Sequence, residues 1–359
     1  MDQDPQVDLD DKQFIWERDP EEMLETLAGL PDQCEVALKL GQAASLPGLP
    51  KELRQVVLAG LGGSAIGGDL VRVLAARQAR VPFAVCRDYT LPAYVDQQTL
   101  VFLTSYSGNT EETLSAYRMA GERGATRIAL TTGGKLAELA DSDGVPVIRV
   151  PQGLPPRSAI GYLFLPALLV LERLGVIPPQ DGYGELLSVL RDLREEFTPA
   201  SPLAGNRAKG LARCLHGRIP IIYGATGTTE VVATRWKGQI NENAKSLAYW
   251  NVYPELNHNE LVGFEAPPEL LRSLCLIHLR DAMDHPRVQA RMEIVKKLLA
   301  GRLGGLVEFS GQGASLLARL FSLIYLGDFT SVYLSLLYGI NPKPVKVIDY
   351  LKQELARIP

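Results

Sequence analysis

Leu100-Val-Phe-Leu-Thr-Ser105-Tyr-Ser107-Gly108-Asn109-Thr110-Glu-Glu-Thr113 is the stretch that decides the fold. A short apolar run ends in small hydroxyl-bearing residues and a glycine, then opens into acidic residues suited to the first turn of a helix. A strand that is apolar throughout, rather than alternating, belongs to a sheet covered on both faces. The unit recurs. Residues 56–59, 81–85, 127–130 and 145–150 are further strand-length runs separated by helix-compatible segments. This spacing predicts βαβ connections and a parallel sheet with helices on both sides.

Working outward, residues 20–44 carry helical spacing at Met23, Leu27, Leu30, Val36 and Leu40, with a break at Gly29 and Pro31. Leu186, Leu190, Leu193 and Phe197 predict another helix, and Thr198-Pro-Ala-Ser-Pro-Leu-Ala-Gly205 is a connector rich in breakers. A second α/β unit follows. Residues 219–225 enter Thr226-Gly-Thr-Thr229 and a helix over 229–244, with further strands expected at 274–279 and 305–309. The fold class is therefore α/β, two doubly wound, flavodoxin-like parallel-sheet domains in tandem. The expected divisions are a flexible acidic leader at 1–19, a first domain at 20–180, a helix and connector at 181–205, a second domain at 206–340 and a C-terminal helix at 341–359.

With 359 residues, against about 150 per domain, the chain is long enough for two domains. Hydrophobic residues make up 46 % and charged residues 22 %, a balance that excludes global disorder. The 37 basic and 41 acidic side chains leave a net charge of −4, so no cationic excess is available for a phosphodiester backbone and nucleic acid is not expected as a partner. Cys34, Cys86, Cys214 and Cys275 are far apart, with no CxxC pair and no histidine cluster, and read as reduced core thiols rather than metal ligands. The acidic start Met1-Asp-Gln-Asp-Pro lacks the basic and apolar parts of a secretion signal, so a cytoplasmic address is expected. Residues 316–340 are the most apolar stretch, but Arg319 and Asp328 interrupt them, short of the ~20 clean residues of a membrane span. They read as buried helices, with no membrane partner.

Two turns suit an anion. In Val56-Val-Leu-Ala-Gly60-Leu-Gly62-Gly63-Ser64-Ala-Ile-Gly67, glycines between strand and helix let the backbone approach a phosphate that free N–H groups and the helix dipole then meet. Gly62, Gly63 and Ser64 are the candidate contacts. Gly60-x-Gly62-x-x-Ala65 also fits the dinucleotide fingerprint, with Asp88 as its ribose acid, which leaves a nicotinamide oxidoreductase open. In the second turn Ser105, Ser107 and Thr110 can offer hydroxyls to one phosphate; the plainer alternative is an N-cap supported by the glutamates downstream. Two such turns after neighbouring parallel strands favour a compact phosphomonoester, because ligands of open α/β sheets sit beyond the carboxyl ends of the strands.

Ser105-Tyr-Ser-Gly-Asn-Thr-Glu-Glu-Thr113 resembles the phosphosugar signature of the sugar isomerase (SIS) domain. With Arg157-Ser-Ala-Ile-Gly161, Asn241-Glu-Asn-Ala-Lys245, Asn257-His-Asn-Glu260, Asn341-Pro-Lys-Pro-Val345 and Leu351-Lys352, the chain from about residue 55 onward resembles the bifunctional phosphoglucose/phosphomannose isomerases. The resemblance implies two SIS domains, a homodimer with sites at the junction, and interconversion of glucose 6-phosphate or mannose 6-phosphate with fructose 6-phosphate. The resemblance implies no cofactor and no metal; the redox change is internal to the sugar, so no nicotinamide is needed.

Moving a carbonyl between C1 and C2 requires a group that carries a carbon-bound proton, a task for a carboxylate. Glu242, near the end of the 229–244 helix, is the candidate; the plain alternative is an exposed glutamate near Arg235 or Lys245. His258 suits ring opening by proton transfer, and in the resembling family this histidine reaches across from the partner subunit; a loop histidine is otherwise structural. His216, His278 and His285 lie in no comparable motif and are read as structural. Lys352, bordering the stripe Ile348, Leu351, Leu355, is implied as the ring-opening partner of His258, on a helix returning to the site; a lysine so placed otherwise snorkels to water. Arg157 follows the stiff Leu154-Pro-Pro and can stabilise an enediolate, or merely form a surface ion pair. A third class, a non-catalytic sugar-phosphate sensor, leaves these catalytic-type residues without a purpose. Nothing in the letters favours one epimer at C2.

Overall fold

In the computed structural model, which describes residues 8–355, 357 and 358, two parallel sheets form. The first holds β1 (Gln55–Ala59), β2 (Phe83–Cys86), β3 (Thr99–Thr104), β4 (Thr126–Thr131) and β5 (Val147–Arg149), ordered β2-β1-β3-β4-β5. All six residues of β3 are buried, as a continuous apolar run in a two-faced sheet requires. Val57, Val101, Leu103 and Ala129 pack with Tyr117 and Leu136 of the covering helices. Strand order reverses between β1 and β3, which opens a crevice at their carboxyl ends.

The second sheet holds β6 (Ile219–Ala225), β7 (Tyr249–Tyr253), β8 (Leu274–Arg280) and β9 (Gly305–Ser310), ordered β7-β6-β8-β9. β7 is absent from the sequence expectations because it is an edge strand: Tyr249 and Trp250 are exposed, and the aliphatic run of a buried strand is missing.

The chain divides into two compact units. One comprises residues 29–191 and 312–321 with the first sheet; the other comprises residues up to Ala28, 192–311 and 322–359 with the second. The division at 191/192 falls inside the helix Tyr183–Phe197. Residues 1–7 of the expected leader lie outside the described residues. The rest of it is ordered: Lys12–Arg18 is a helix whose Phe14 and Ile15 are buried. The physical reason is an ion pair that the letters hide. The Lys209 side chain is fully buried and donates to Asp10 Oδ1 at 3.0 Å and to the carbonyls of Pro199 at 3.0 Å and Ser201 at 2.8 Å. A buried ammonium needs such partners, so residues 8–28 fold with the second unit.

Residues 316–340 hold one long helix, Leu316–Leu337, instead of several. By length and composition it could cross a membrane, but its most apolar window is 100 % buried, as in a core helix. Asp328 within it is matched by Arg235 in a two-pronged pair, Nε to Oδ1 at 3.0 Å and Nη2 to Oδ2 at 2.6 Å. The C-terminal helix Lys346–Leu355 has no buried residue among those described.

Candidate active site

The two sequence-predicted turns meet at the switch point between β1 and β3. The helix Gly63–Ala75 begins after Gly62, whose φ of +53° is in the range that favours glycine, and no side chain caps its first turn. Two more glycines are fixed by close approach. A Cβ on Gly60 would lie 2.6 Å from the Thr104 carbonyl oxygen, and one on Gly63 would lie 2.6 Å from the Pro156 carbonyl oxygen. The glycine spacing that fits a dinucleotide fingerprint thus has a packing reason. Asp88, the residue that reading would place on a ribose, is exposed and accepts from the Tyr89 N–H at 2.6 Å.

Ser64 Oγ accepts from the N–H of Tyr106 at 3.3 Å, which ties the first turn to the second. There, Ser105 Oγ accepts from the Gly108 N–H at 3.1 Å and lies 2.8 Å from Thr110 Oγ1; Ser107 Oγ accepts from the Asn109 N–H at 3.3 Å. An oxygen that accepts a backbone N–H keeps its own proton to donate. The N-cap alternative fails for Thr110: it stands at the cap of helix Glu111–Glu122 without a side-chain capping bond. Two helix starts without side-chain caps therefore converge with serine hydroxyls, an arrangement suited to one phosphate dianion.

Arg157 lies in the 3-10 turn Pro156–Ser158, against Gly63. At 5 % exposure it is not the surface ion-pair arginine of the plainer reading. Gln33 holds this turn, donating to the Ser158 carbonyl at 2.9 Å and accepting from the Gly161 N–H at 2.6 Å. A guanidinium on so fixed a backbone is pre-organised to meet a developing oxyanion.

Gly62, Gly63, Ser64, Ser105, Ser107, Thr110 and Arg157 thus belong to one unit, and Glu242, His258 and Lys352 to the other. Glu242 is half-buried near the end of helix Glu230–Ala244. That end is built with care. Asn243, fully buried, donates to Ser331 Oγ at 2.9 Å; Lys245 adopts a left-handed φ of +51° and donates to the carbonyls of Glu242 at 2.7 Å, Asn243 at 3.3 Å and Pro342 at 2.7 Å. An ammonium on the terminal carbonyls complements the helix dipole. Arg235, the other cation suggested as a surface partner for Glu242, is committed to Asp328.

His258 closes the short 3-10 turn Glu255–His258 after β7 and is exposed. Its neighbours Asn257 and Glu260 are hydrogen-bonded to Arg291 and to Tyr223 and Asn251. Both stand within a motif visible in the sequence, but the letters alone give them no task. Lys352 is exposed on helix Lys346–Leu355. The other histidines fill structural places. His278 is fully buried with Nε2 at 3.0 Å from Tyr253 Oη, His285 Nδ1 accepts from the Arg287 N–H at its helix start, and His216 packs on Tyr338. Among the described residues, no three His, Cys, Asp or Glu side chains gather as a metal-ligand group.

The second sheet has the equivalent switch point between β6 and β8, and there the turn is filled from within. Thr228 Oγ1 donates to Asp284 Oδ1, and Thr229 Oγ1 donates to the Leu279 carbonyl at 2.9 Å. Burial raises the Asp284 carboxyl above its ordinary value. Both threonine hydroxyls of this turn are thus spent on protein acceptors.

The model of the bacterial phospho-glucose isomerase C-terminal SIS domain matches residues 204–355. The bifunctional phosphoglucose/phosphomannose isomerase of Caldicellulosiruptor bescii is 51 % identical over 94 % of this chain and 99 % of its own length. That of Aquifex aeolicus is 40 % identical over 84 % of this chain and 90 % of its own. Among solved structures, a glucose-6-phosphate isomerase-like protein from Thermus thermophilus shares the fold with a TM-score of 0.57 and 22 % identity, over 93 % of this chain and 97 % of that one. Identity at this level along nearly the whole chain, over two parallel sheets of which the first carries both signature turns, assigns the chain to the bifunctional phosphoglucose/phosphomannose isomerase family.

Proposed function

We propose that the protein is an aldose–ketose isomerase that interconverts glucose 6-phosphate and mannose 6-phosphate with fructose 6-phosphate. The observation that carries this reading is the pair of uncapped, serine-lined helix starts at one switch point, in a chain that matches an enzyme of that name over 94 % of its length. The phosphate sits on Gly62, Gly63, Ser64, Ser105, Ser107 and Thr110. His258 and Lys352 move the protons that open the ring. Glu242 then carries the proton between C1 and C2, while Arg157 steadies the enediolate; returning the proton to either face of C2 yields the glucose or the mannose epimer. One carbon is oxidised as its neighbour is reduced, so the chemistry calls for no nicotinamide.

The proposal includes a homodimer in which His258 serves the partner's site. The exposed apolar residues Val347, Tyr350 and Leu351 of the C-terminal helix supply a surface for such an association. Glu242→Gln is the direct test. Loss of the base is expected to lower kcat on all three sugar phosphates by about 100-fold or more, with fructose 6-phosphate still bound. Near-normal turnover would remove Glu242 from the role.

A further inference from the structure

We propose that Glu260 and Asn257 are positioning residues that hold His258 for ring opening, an inference that rests on the ring-opening role given to His258 above. His258 ends a four-residue 3-10 turn, an element with few hydrogen bonds of its own. What fixes it comes from both flanks. On one side, Asn257 Oδ1 accepts from Arg291 Nη1 at 3.1 Å, tying the turn to helix Pro286–Leu299. On the other, the Glu260 carboxylate accepts from Tyr223 Oη of β6 through one oxygen and from Asn251 Nδ2 of β7 through the other.

Tyr223 is itself immobile. It is fully buried, edge-on to Tyr253 at 5.9 Å and stacked on His278 at 6.1 Å. Burial, with Glu260 beside it, raises its phenol well above the ordinary value, so the hydroxyl remains a donor. The motif Asn257-His258-Asn259-Glu260 thus separates into anchors that face the protein and an imidazole that faces solvent. Proton transfer requires the imidazole within hydrogen-bond reach of the ring oxygen, and a displacement of 1 Å costs on the order of 100-fold.

The test compares fructose 6-phosphate with 5-deoxyfructose 6-phosphate. The analogue lacks O5, and its O6 is phosphorylated, so it cannot close a ring and needs no opening. Glu260→Ala and Asn257→Ala are expected to lower kcat on fructose 6-phosphate by about 10- to 100-fold while turnover of the open-chain analogue stays within about 2-fold of wild type. Glu260→Gln, whose amide can accept from Asn251 and donate to Tyr223, is expected to stay within about 3-fold on both substrates. His258→Ala should show the same split in stronger form. If His258→Ala splits the two substrates but neither Glu260→Ala nor Asn257→Ala does, the positioning role is overturned and the role of His258 stands. Equal losses on both substrates in both anchor variants reduce the anchors to general stability and overturn the proposal. If His258→Ala itself shows no split, the ring-opening role falls and the proposal falls with it. Should Glu260→Ala fail to fold, Asn257→Ala carries the same comparison.

Discussion

At Gly108 the requirements of backbone and site coincide. Its φ is +69°, and a Cβ there would lie 1.8 Å from the Gly133 carbonyl oxygen. Gly108→Ala must therefore displace the turn that carries Ser105 and Ser107. The expected outcome is a KM for fructose 6-phosphate raised by about 10-fold or more, since loss of charge-assisted phosphate contacts removes a few kcal/mol of binding. An unchanged KM would place the phosphate elsewhere. His278 gives a prediction about pH. Burial lowers its value to about 4, below the ~6.5 of an unfolded chain, so the unfolded state takes up a proton first. Stability is then undiminished above pH ~6.5 and falls as pH drops toward 4, by roughly 3 kcal/mol in all. His278→Gln, which keeps an acceptor for Tyr253 Oη, should flatten that slope in denaturant titrations; an unaltered slope would mean that another group titrates. Residues of this kind were unequally legible. The hydroxyl turn could be read because its chemistry is local. The burial of Arg157 and the anchors Glu260 and Asn257 could not, since each depends on a partner at least nine positions away: Gly63, Asn251, Tyr223 and Arg291.

Among the elements, strands with continuous aliphatic runs were legible and β7 was not, because an edge strand built of Tyr-Trp-Asn-Val-Tyr lacks the pattern that marks a buried one. The helix Lys12–Arg18 escaped for the related reason that seven residues give too short a period. The duplicated strand–turn–helix architecture is legible in the sequence; the difference between the two switch points is not. In the first, serine hydroxyls keep a proton to donate. In the second, Asp284 engages Thr228. Fructose 6-phosphate is therefore expected to bind at the first alone. At ~100 times its dissociation constant it should stabilise the protein by about 2.7 kcal/mol, read as a rise in Tm. Ser105→Ala should sharply reduce that rise. Thr228→Val should lower the starting Tm, because Asp284 loses a buried partner, yet leave the rise intact. A rise abolished by Thr228→Val would assign binding to the second switch point.

For the molecule as a whole, the C-terminal segment separates folding from function. Asn341 Nδ2 donates to Glu21 Oε1 at 3.1 Å, Lys343 Nζ donates to the Glu21 carbonyl at 3.1 Å, and the Pro342 carbonyl accepts from Lys245. These bonds hold the chain within the second unit just ahead of its last helix. Beyond them, no described residue of helix Lys346–Leu355 is buried, and Val347 is 82 % exposed. A helix that removes so little apolar surface from water adds little to the stability of its own protomer. Its amphipathic pattern, with Ile348, Leu351 and Leu355 on one stripe and Lys352 at the border, has to be explained by something other than protomer folding. Truncation after Val345 is accordingly expected to shift the Tm of the protomer by no more than about 2–4 °C, the equivalent of about 1 kcal/mol, while turnover of fructose 6-phosphate falls by about 100-fold. Lys352→Ala in the full chain should reproduce most of that loss without the change in surface. If the truncated protein turns over normally, Lys352 has no part in ring opening; if it unfolds, the helix is a structural element whose cover is supplied by a second copy of the chain. Sedimentation of full-length and truncated protein across a range of concentrations separates those outcomes, because only the second makes the loss of the helix and the loss of the dimer one event.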